Sequence, residues 1–319
     1  MKREISDFSA ENLSAYDVYL AYRLLLGREP ESDQVIKDHL LLKSLEGVRS
    51  AMINSGEFRS QFMRWTDFGK KWVSTEVLDD FTMWVDLSDR HVSRGCLNND
   101  WEASESNYFA AALPSAEVVL DIGANIGWFS LLAIKHLNPK GIVHAFEPNL
   151  AVASKLKRTI KDNALESRVK VWNLALSDKA EDLYICWGKE TDNPGGAHLS
   201  HKKTDSSMVY QMINAAAIDD MLPDLKPDLI KMDVVGAEPR VVRGAKHMLR
   251  KFKPTVLSEL NPQQLKKVSN SNATQYIFQM TELGYQCFLL EEGKPTRKLK
   301  DFPPDCNSDL VSVVFERMN

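Results

Sequence analysis

Two hydrophobic patterns divide the chain. In the first stretch apolar side chains recur at three- and four-residue spacing, which marks one face of a helix. Tyr16, Val18, Tyr19, Leu20 and Leu24 form one set, Val35, Ile36, His39, Leu40 and Leu42 a second, and Val48, Met52 and Ile53 continue the pattern. Ser14 is placed to cap the first helix, with Gly27 and Pro30 to stop it. Pro30 also suits the first turn of the second helix, and Gly56 breaks the pattern before Phe58 and Phe62. Later, short apolar runs alternate with amphipathic stretches. Val118–Leu120, Gly141–Glu147, Arg168–Asn173, Asp228–Asp233, Thr255–Leu260, Tyr285–Leu290 and Leu310–Glu316 read as strands. Phe81–Leu87 reads as an edge strand and Tyr184–Trp187 as an extra one. Helices are predicted over Glu105–Leu113, Trp128–His136, Leu150–Asn163 and Thr274–Leu283. Strands alternating with helices predict an α/β fold, a doubly wound sheet preceded by a small all-α domain. The expected boundaries are 1–65 for the helical domain, 66–115 for a linker with a lead-in strand and helix, and 116–319 for the sheet domain.

Composition narrows the class. The 319 residues are 44% hydrophobic and 26% charged, enough for one large domain and a small one. A net charge of −4 gives no electrostatic case for a nucleic-acid partner. Cys96, Cys186, Cys287 and Cys306 are far apart and form no metal-ligand pair, so reduced thiols are expected. The opening segment MKREISDFSAEN lacks the apolar core of a signal peptide, and no apolar run approaches the ~20 residues that span a bilayer. The expected location is the cytoplasm.

The stretch Val118–Ser130, VVLDIGANIGWFS, carries the candidate chemistry. Asp121 ends a buried strand, and Gly123 and Gly127 bracket a tight turn into the helix starting at Trp128. Such a turn offers backbone N–H groups and a helix N-terminus to a ligand. A dinucleotide fingerprint would place glycine at 123, 125 and 128, but Asn125 and Trp128 stand there. The turn therefore suits a nucleoside with a charged amino-acid tail better than a pyrophosphate. Glu147, 24 residues after Gly123, ends the next strand where an acid would meet a ribose diol. In a doubly wound sheet the strand tips Asp121, Glu147, Asn173 and Asp233 should converge. His144, inside a strand, is expected to be a packed core residue.

These segments resemble the S-adenosylmethionine site of class I methyltransferases. The wording DIGANIGWFS, HAFEPN, LALSD, DLIKMDVVGAE and RGA is specifically similar to the FkbM family of methyltransferases, from about Asp86 to the C-terminus. The resemblance implies a seven-stranded Rossmann-like sheet with an antiparallel last strand, S-adenosylmethionine as cofactor, and transfer to a hydroxyl. For the cofactor it implies Asp121, Gly123, Ala124, Asn125, Gly127, Trp128, Glu147, Pro148 and Asp233, with Glu102 facing the ammonium group. The adenine falls near Asn173 and Ala175, between Leu174 and Leu176. The Gly195–Gly196 loop faces the substrate, together with Val235 and Glu238. Asp233, His198 and Glu259 are the candidate bases. Most members read D-V-E-G where this chain has Val235, so no metal site is carried over and metal dependence stays open. The wording YRLLLGREP and NSGEFRSQF resembles a small helical domain found ahead of glycan-modifying enzymes and related to phycobilisome linker modules.

The expected function is thus O-methylation of a sugar, glycan or secondary metabolite, with no nucleic-acid partner and no membrane span. Residues 1–65 would serve docking or homo-oligomerisation. A catalytically lapsed cofactor-binding or scaffold module is the first alternative, and an NAD(P)-dependent dehydrogenase the second. The Asx-Pro-Pro-aromatic motif of amino-group DNA methyltransferases is missing after the fourth core strand, where the chain reads DVVG.

Overall fold

The computed structural model describes residues 13–53, 55–58, 72–189, 196–304 and 308–318. The chain divides into two compact units, Met1–Gly69 and Lys70–Asn319. In the first, Ser14 and Asp17 form a capping box on the helix Ala15–Ala21, which runs into a wider π-helical turn, Tyr22–Leu26. Gly27, in the left-handed region at φ 67°, stops it. The next helix, Asp33–Leu40, is capped by Ser32, so Pro30 precedes the cap instead of starting the helix as its position suggests. Leu45–Ile53 is a separate helix, and Val18, Tyr22, Leu26, Val48 and Met52 form the shared core.

The second unit opens with a hairpin of β1 (Trp72–Val77) and β2 (Phe81–Asp86). The Thr82 and Trp84 N–H groups donate to Asn163 Oδ1 at 2.9 Å and Thr159 Oγ1 at 3.0 Å, which ties the hairpin to the helix Leu150–Asp162. β3 (Val118–Ile122), β4 (Ile142–Phe146) and β5 (Val169–Trp172) follow in parallel. β6 (Ala175–Leu176), β7 (Glu181–Gly188), β8 (His198–Ser200) and β9 (Met208–Ala216) make a separate sheet in the order β6-β9-β7-β8. β10 (Leu229–Met232) and β11 (Thr255–Leu260) then extend the large sheet on the far side of β3. β12 (Tyr285–Glu291), β13 (Lys294–Leu299) and β14 (Val311–Arg317) complete it.

The large mixed sheet runs β13-β12-β14-β11-β10-β3-β4-β5, with β14 antiparallel between β11 and β12. Eight strands are present where seven are expected. The extra one is β13, an edge strand whose sequence KPTRKL carries little apolar signal. β3 is buried on both faces. Val119 packs with Phe129 and Leu131 on one side, and Leu120 with Ile230 and Tyr276 on the other. The chain steps outward from β3 to β4 and β5, then returns to β10 and steps the opposite way to β11. The C-terminal ends of β3 and β10 therefore flank a topological switch point, where open α/β sheets hold ligands. Among the described residues no helix is long and apolar enough to cross a membrane.

Candidate functional site

A cavity of about 450 Å³ opens at that switch point, within the ~300–1,000 Å³ usual for small-molecule sites. On the β4 side it is lined by the β3 turn (Gly123, Ala124, Asn125, Gly127, Trp128), by Glu147 and Pro148, and by Leu174, Ala175 and Leu176. Gly123 has φ +86°, and a Cβ there would lie 1.9 Å from the Asp233 carbonyl oxygen. Only glycine lets the two strand ends come this close. Four backbone N–H groups of the turn, those of Gly123, Ala124, Asn125 and Gly127, are already engaged within the protein. Gly123 and Ala124 both donate to the Phe146 carbonyl at 3.0 Å, and Gly127 donates to Ala124 at 2.8 Å. Asn125 N–H donates to Glu147 Oε2 at 3.0 Å and Asn149 N–H to Glu147 Oε1 at 2.7 Å. These bonds fix the Glu147 carboxylate at the tip of β4, and burial pushes it up to about 7. Asp121 lies at the rear of the cavity and accepts from Ser130 Oγ at 2.6 Å; burial pushes it up to about 6.

Asn173 does not line the cavity. Its amide donates to the carbonyls of Glu147 at 2.8 Å and Pro148 at 3.1 Å, so it clamps the segment that carries Glu147. Trp128 is oriented by Ser106 Oγ, which accepts from its indole N–H at 2.9 Å and donates to the Trp101 carbonyl at 2.7 Å. Glu102 follows Trp101 in the left-handed region at φ 45° and lines the cavity. Burial holds its carboxyl above the usual range.

On the β11 side lie Asp233, Val234, Val235, Glu259, Asn261 and Gln264, with Ile185 and Leu199 of the small sheet. Lys231 stands between the two sides. It is 4% exposed in the middle of β10, opposite Asp121 in register, with its Nζ 4.7 Å over the Phe129 ring. Its ammonium sits 3.2 Å from Glu102 Oε2 and 3.5 Å from Asp233 Oδ2. Burial alone would lower the pKa of Lys231, but the carboxylates of Glu102, Asp233 and Glu259 reverse this and hold it above the ordinary lysine range. It stays protonated. Burial, then the charges of Asp233 and Glu238, hold Glu259 well above the usual carboxylate range. Neither the sequence-derived site nor its candidate bases included Lys231 or Gln264. A lysine inside the apolar run of β10 was the available signal.

Two further expectations are corrected. His198 lies on β8, outside the cavity lining, with its Nε2 3.4 Å from Cys186 Sγ. Burial, assisted by Lys267, holds its imidazole below the usual range. It packs in the small sheet against Cys186. Glu238 is also outside the lining and is 2% exposed. Its Oε1 accepts from the N–H groups of Val234 and Gly236, both at 3.2 Å, so it shapes the β10 loop from behind. Gly196 lines the cavity, while Gly195 lies outside the described residues. His144 is buried and accepts from Trp172 Nε1 at 3.2 Å. Among the described residues no group of three or more His, Cys, Asp or Glu side chains could hold a metal ion.

Comparison with known proteins adds a family. A family model described as the methyltransferase FkbM domain matches residues 121–287. A curated relative, methyltransferase sdnD of Sordaria araneosa, is 30% identical over 167 residues, which cover 43% of this chain and 63% of that protein. The chain thus matches less than two thirds of the relative's length. Among solved structures, methyltransferase FkbM from Methylobacillus flagellatus is similar with a TM-score of 0.41 and 17% identity, over 63% of this chain and 43% of that one. A precorrin-6y C5,15-methyltransferase from Geobacter metallireducens gives a TM-score of 0.39 and 13% identity, over 69% of this chain and 89% of that one.

Proposed function

Because the chain belongs to the FkbM methyltransferase family, we propose that it is an S-adenosylmethionine-dependent O-methyltransferase of the class I, Rossmann-like type. Its acceptor is a hydroxyl on a sugar, glycan or secondary metabolite. Residues 1–65 form a small helical docking or dimerising domain, and the enzyme works in the cytoplasm. The observation that carries this reading is the charge of the cavity. Glu102, Asp121, Glu147, Asp233 and Glu259 line it against Lys231, an acidic surround that suits a cationic ligand.

The residues fit such a cofactor. Glu147 keeps lone pairs free after its two backbone bonds and would accept from a ribose diol. Pro148, Leu174, Ala175 and Leu176 offer an apolar slot for a base. Glu102 Oε2 is buried beside the Lys231 ammonium at 3.2 Å, and the same carboxylate would accept from the ammonium of an amino-acid tail. When bound, S-adenosylmethionine supplies an electrophilic methyl group carried on a sulfonium. The chain contributes orientation, which reaches ~7–11 kcal/mol in well-aligned systems. Asp233 or Glu259 would take the proton of the acceptor hydroxyl, a general-base contribution worth ~10²–10⁴-fold. Lys231, held protonated, is no base; it positions the Glu102 and Asp233 carboxylates.

The test is transfer of a deuterated methyl from S-adenosylmethionine to a panel of sugar and small-molecule alcohols, read by mass spectrometry. Transfer that falls when Asp233→Asn and Glu259→Gln are combined, with cofactor binding retained, supports the proposal. Cofactor binding without transfer to any alcohol would favour the scaffold reading, and binding of NADH in place of S-adenosylmethionine the dehydrogenase.

A further inference from the structure

Among the described residues, two buried side-chain oxygens have no hydrogen-bond partner, Glu102 Oε2 and Gln264 Oε1. The two residues that carry them, Glu102 and Gln264, both belong to the lining of the same cavity. A buried carbonyl without a donor is costly and calls for an explanation. Glu102 Oε2 at least has the Lys231 ammonium beside it; the Gln264 oxygen has no such neighbour.

Gln264 is held in place by its surroundings. It lies in the helix Pro262–Ser269 directly after β11, two strands away from β3 and on the side opposite β4 and Glu147. The β10 loop is pressed against that helix. Gly236 has φ +90°, and a Cβ there would sit 2.2 Å from the Gln264 carbonyl oxygen. Ser269 Oγ donates to the Gly236 carbonyl at 2.6 Å, which fastens the loop at the other end of the helix. Between these ties Val235, a β-branched residue, is forced to φ 49°. Valine rarely tolerates that region, and such strain collects where a site requires it. Val235 lines the cavity together with Gln264.

We propose that Gln264 Oε1 recognises the methyl acceptor by accepting a hydrogen bond from a second hydroxyl, adjacent to the one that is methylated, while Val235 packs on the acceptor's apolar face. This rests on the methyl-transfer reading. An amide oxygen is too weak a base to take the proton of the reacting hydroxyl, which goes to a carboxylate at Asp233 or Glu259. The donor that satisfies Gln264 is therefore a different group. The acceptor class is a ring with neighbouring hydroxyls and one apolar side. A subsite built to bond a hydroxyl discriminates strongly against the analogue that lacks it.

The experiment uses the full chain loaded with S-adenosylhomocysteine. Two probes are compared by ligand-observed NMR and calorimetry, a tetrahydropyran ring with two adjacent hydroxyls and the same ring with one. The diol should bind wild type more tightly than the mono-alcohol. Gln264→Met should weaken the diol about tenfold, as expected for one hydrogen bond, and leave the mono-alcohol unchanged. The same variant should leave the S-adenosylhomocysteine Kd within about twofold and should not lower Tm, because an unpaired buried carbonyl is removed. Gln264→Glu, which keeps an oxygen at that position, should retain the diol. A lower Tm in Gln264→Met would assign the side chain a structural role, and weaker S-adenosylhomocysteine binding a cofactor role. Equal affinity for the two probes, no diol binding to the loaded protein, or loss of the diol in Gln264→Glu would also overturn the proposal. If wild type does not bind S-adenosylhomocysteine, the methyl-transfer reading fails first and takes this one with it.

Discussion

Glu147 and Lys231 show how differently two buried charges act in one cavity. Glu147 is fixed by two backbone N–H groups and its carboxyl is pushed up to about 7 by burial. Replacing it with Gln removes a charged acceptor from the proposed ribose site. Hydrogen bonds to charged groups contribute ~1.5–3 kcal/mol, so the affinity for S-adenosylmethionine should drop roughly 10–100-fold. Lys231 is a structural cation. Lys231→Met strands the Glu102 and Asp233 carboxylates and should cost about 3–5 kcal/mol, read as a lower urea midpoint at unchanged m-value. An unchanged midpoint would mean the ion pairs contribute nothing to the fold. Val235 carries strain, and Val235→Asn, a residue at ease in the left-handed region, should gain about 1 kcal/mol by the same measurement.

The β3 turn and the β10 loop are built by contact between backbones, which sequence reveals only in part. Gly123→Ala would drive a methyl into the Asp233 carbonyl from a left-handed backbone. It should cost about 2–5 kcal/mol and abolish cofactor binding, checked by denaturation and calorimetry on the same sample. The need for glycine at 123 was legible in the spacing of the motif, as were the helix Trp128–His136 and the strand before it, which runs one residue past Asp121 to Ile122. Apolar runs bounded by an acid and a glycine mark buried parallel strands regardless of their partners. The edge strand β13 was not legible because its polar sequence KPTRKL leaves little hydrophobic signal, and β1 and β9 are half-exposed strands without the short buried run that marks the core strands. Side-chain direction was likewise hidden. His198, Glu238 and Asn173 sit close to the site in sequence, yet each turns to a local partner, Cys186 Sγ, the loop N–H groups and the Glu147 carbonyl respectively. Gln264 follows a strand tip with no motif to flag it, on a helix that packs against the Gly236 loop and contributes it to the cavity lining.

Across the whole molecule, the acidic cavity ties stability, pH and ligand together. Glu147 binds a proton up to about pH 7 in the fold but only to about 4.3 in the unfolded chain, so the native state holds the extra proton between those values. Its contribution to stability is complete below the unfolded value and is lost as pH rises through the folded one. The stability of wild type relative to Glu147→Gln should therefore fall between about pH 4.5 and pH 7 in ligand-free protein, as followed by urea denaturation. A flat difference would mean that Glu147 is already ionised in the fold. The comparison with the variant also cancels His144, which burial holds near 4 and which drives stability the opposite way over part of that range. A cationic ligand should reverse the trend, since it stabilises the ionised carboxylates and its affinity should rise with pH over the same interval. The most direct measurement is calorimetric titration of wild type and Glu147→Gln with S-adenosylmethionine at neutral pH. One-to-one binding to wild type, weakened roughly 10–100-fold in the variant, is the predicted result; no heat of binding to wild type, or equal affinity in both proteins, would contradict the account.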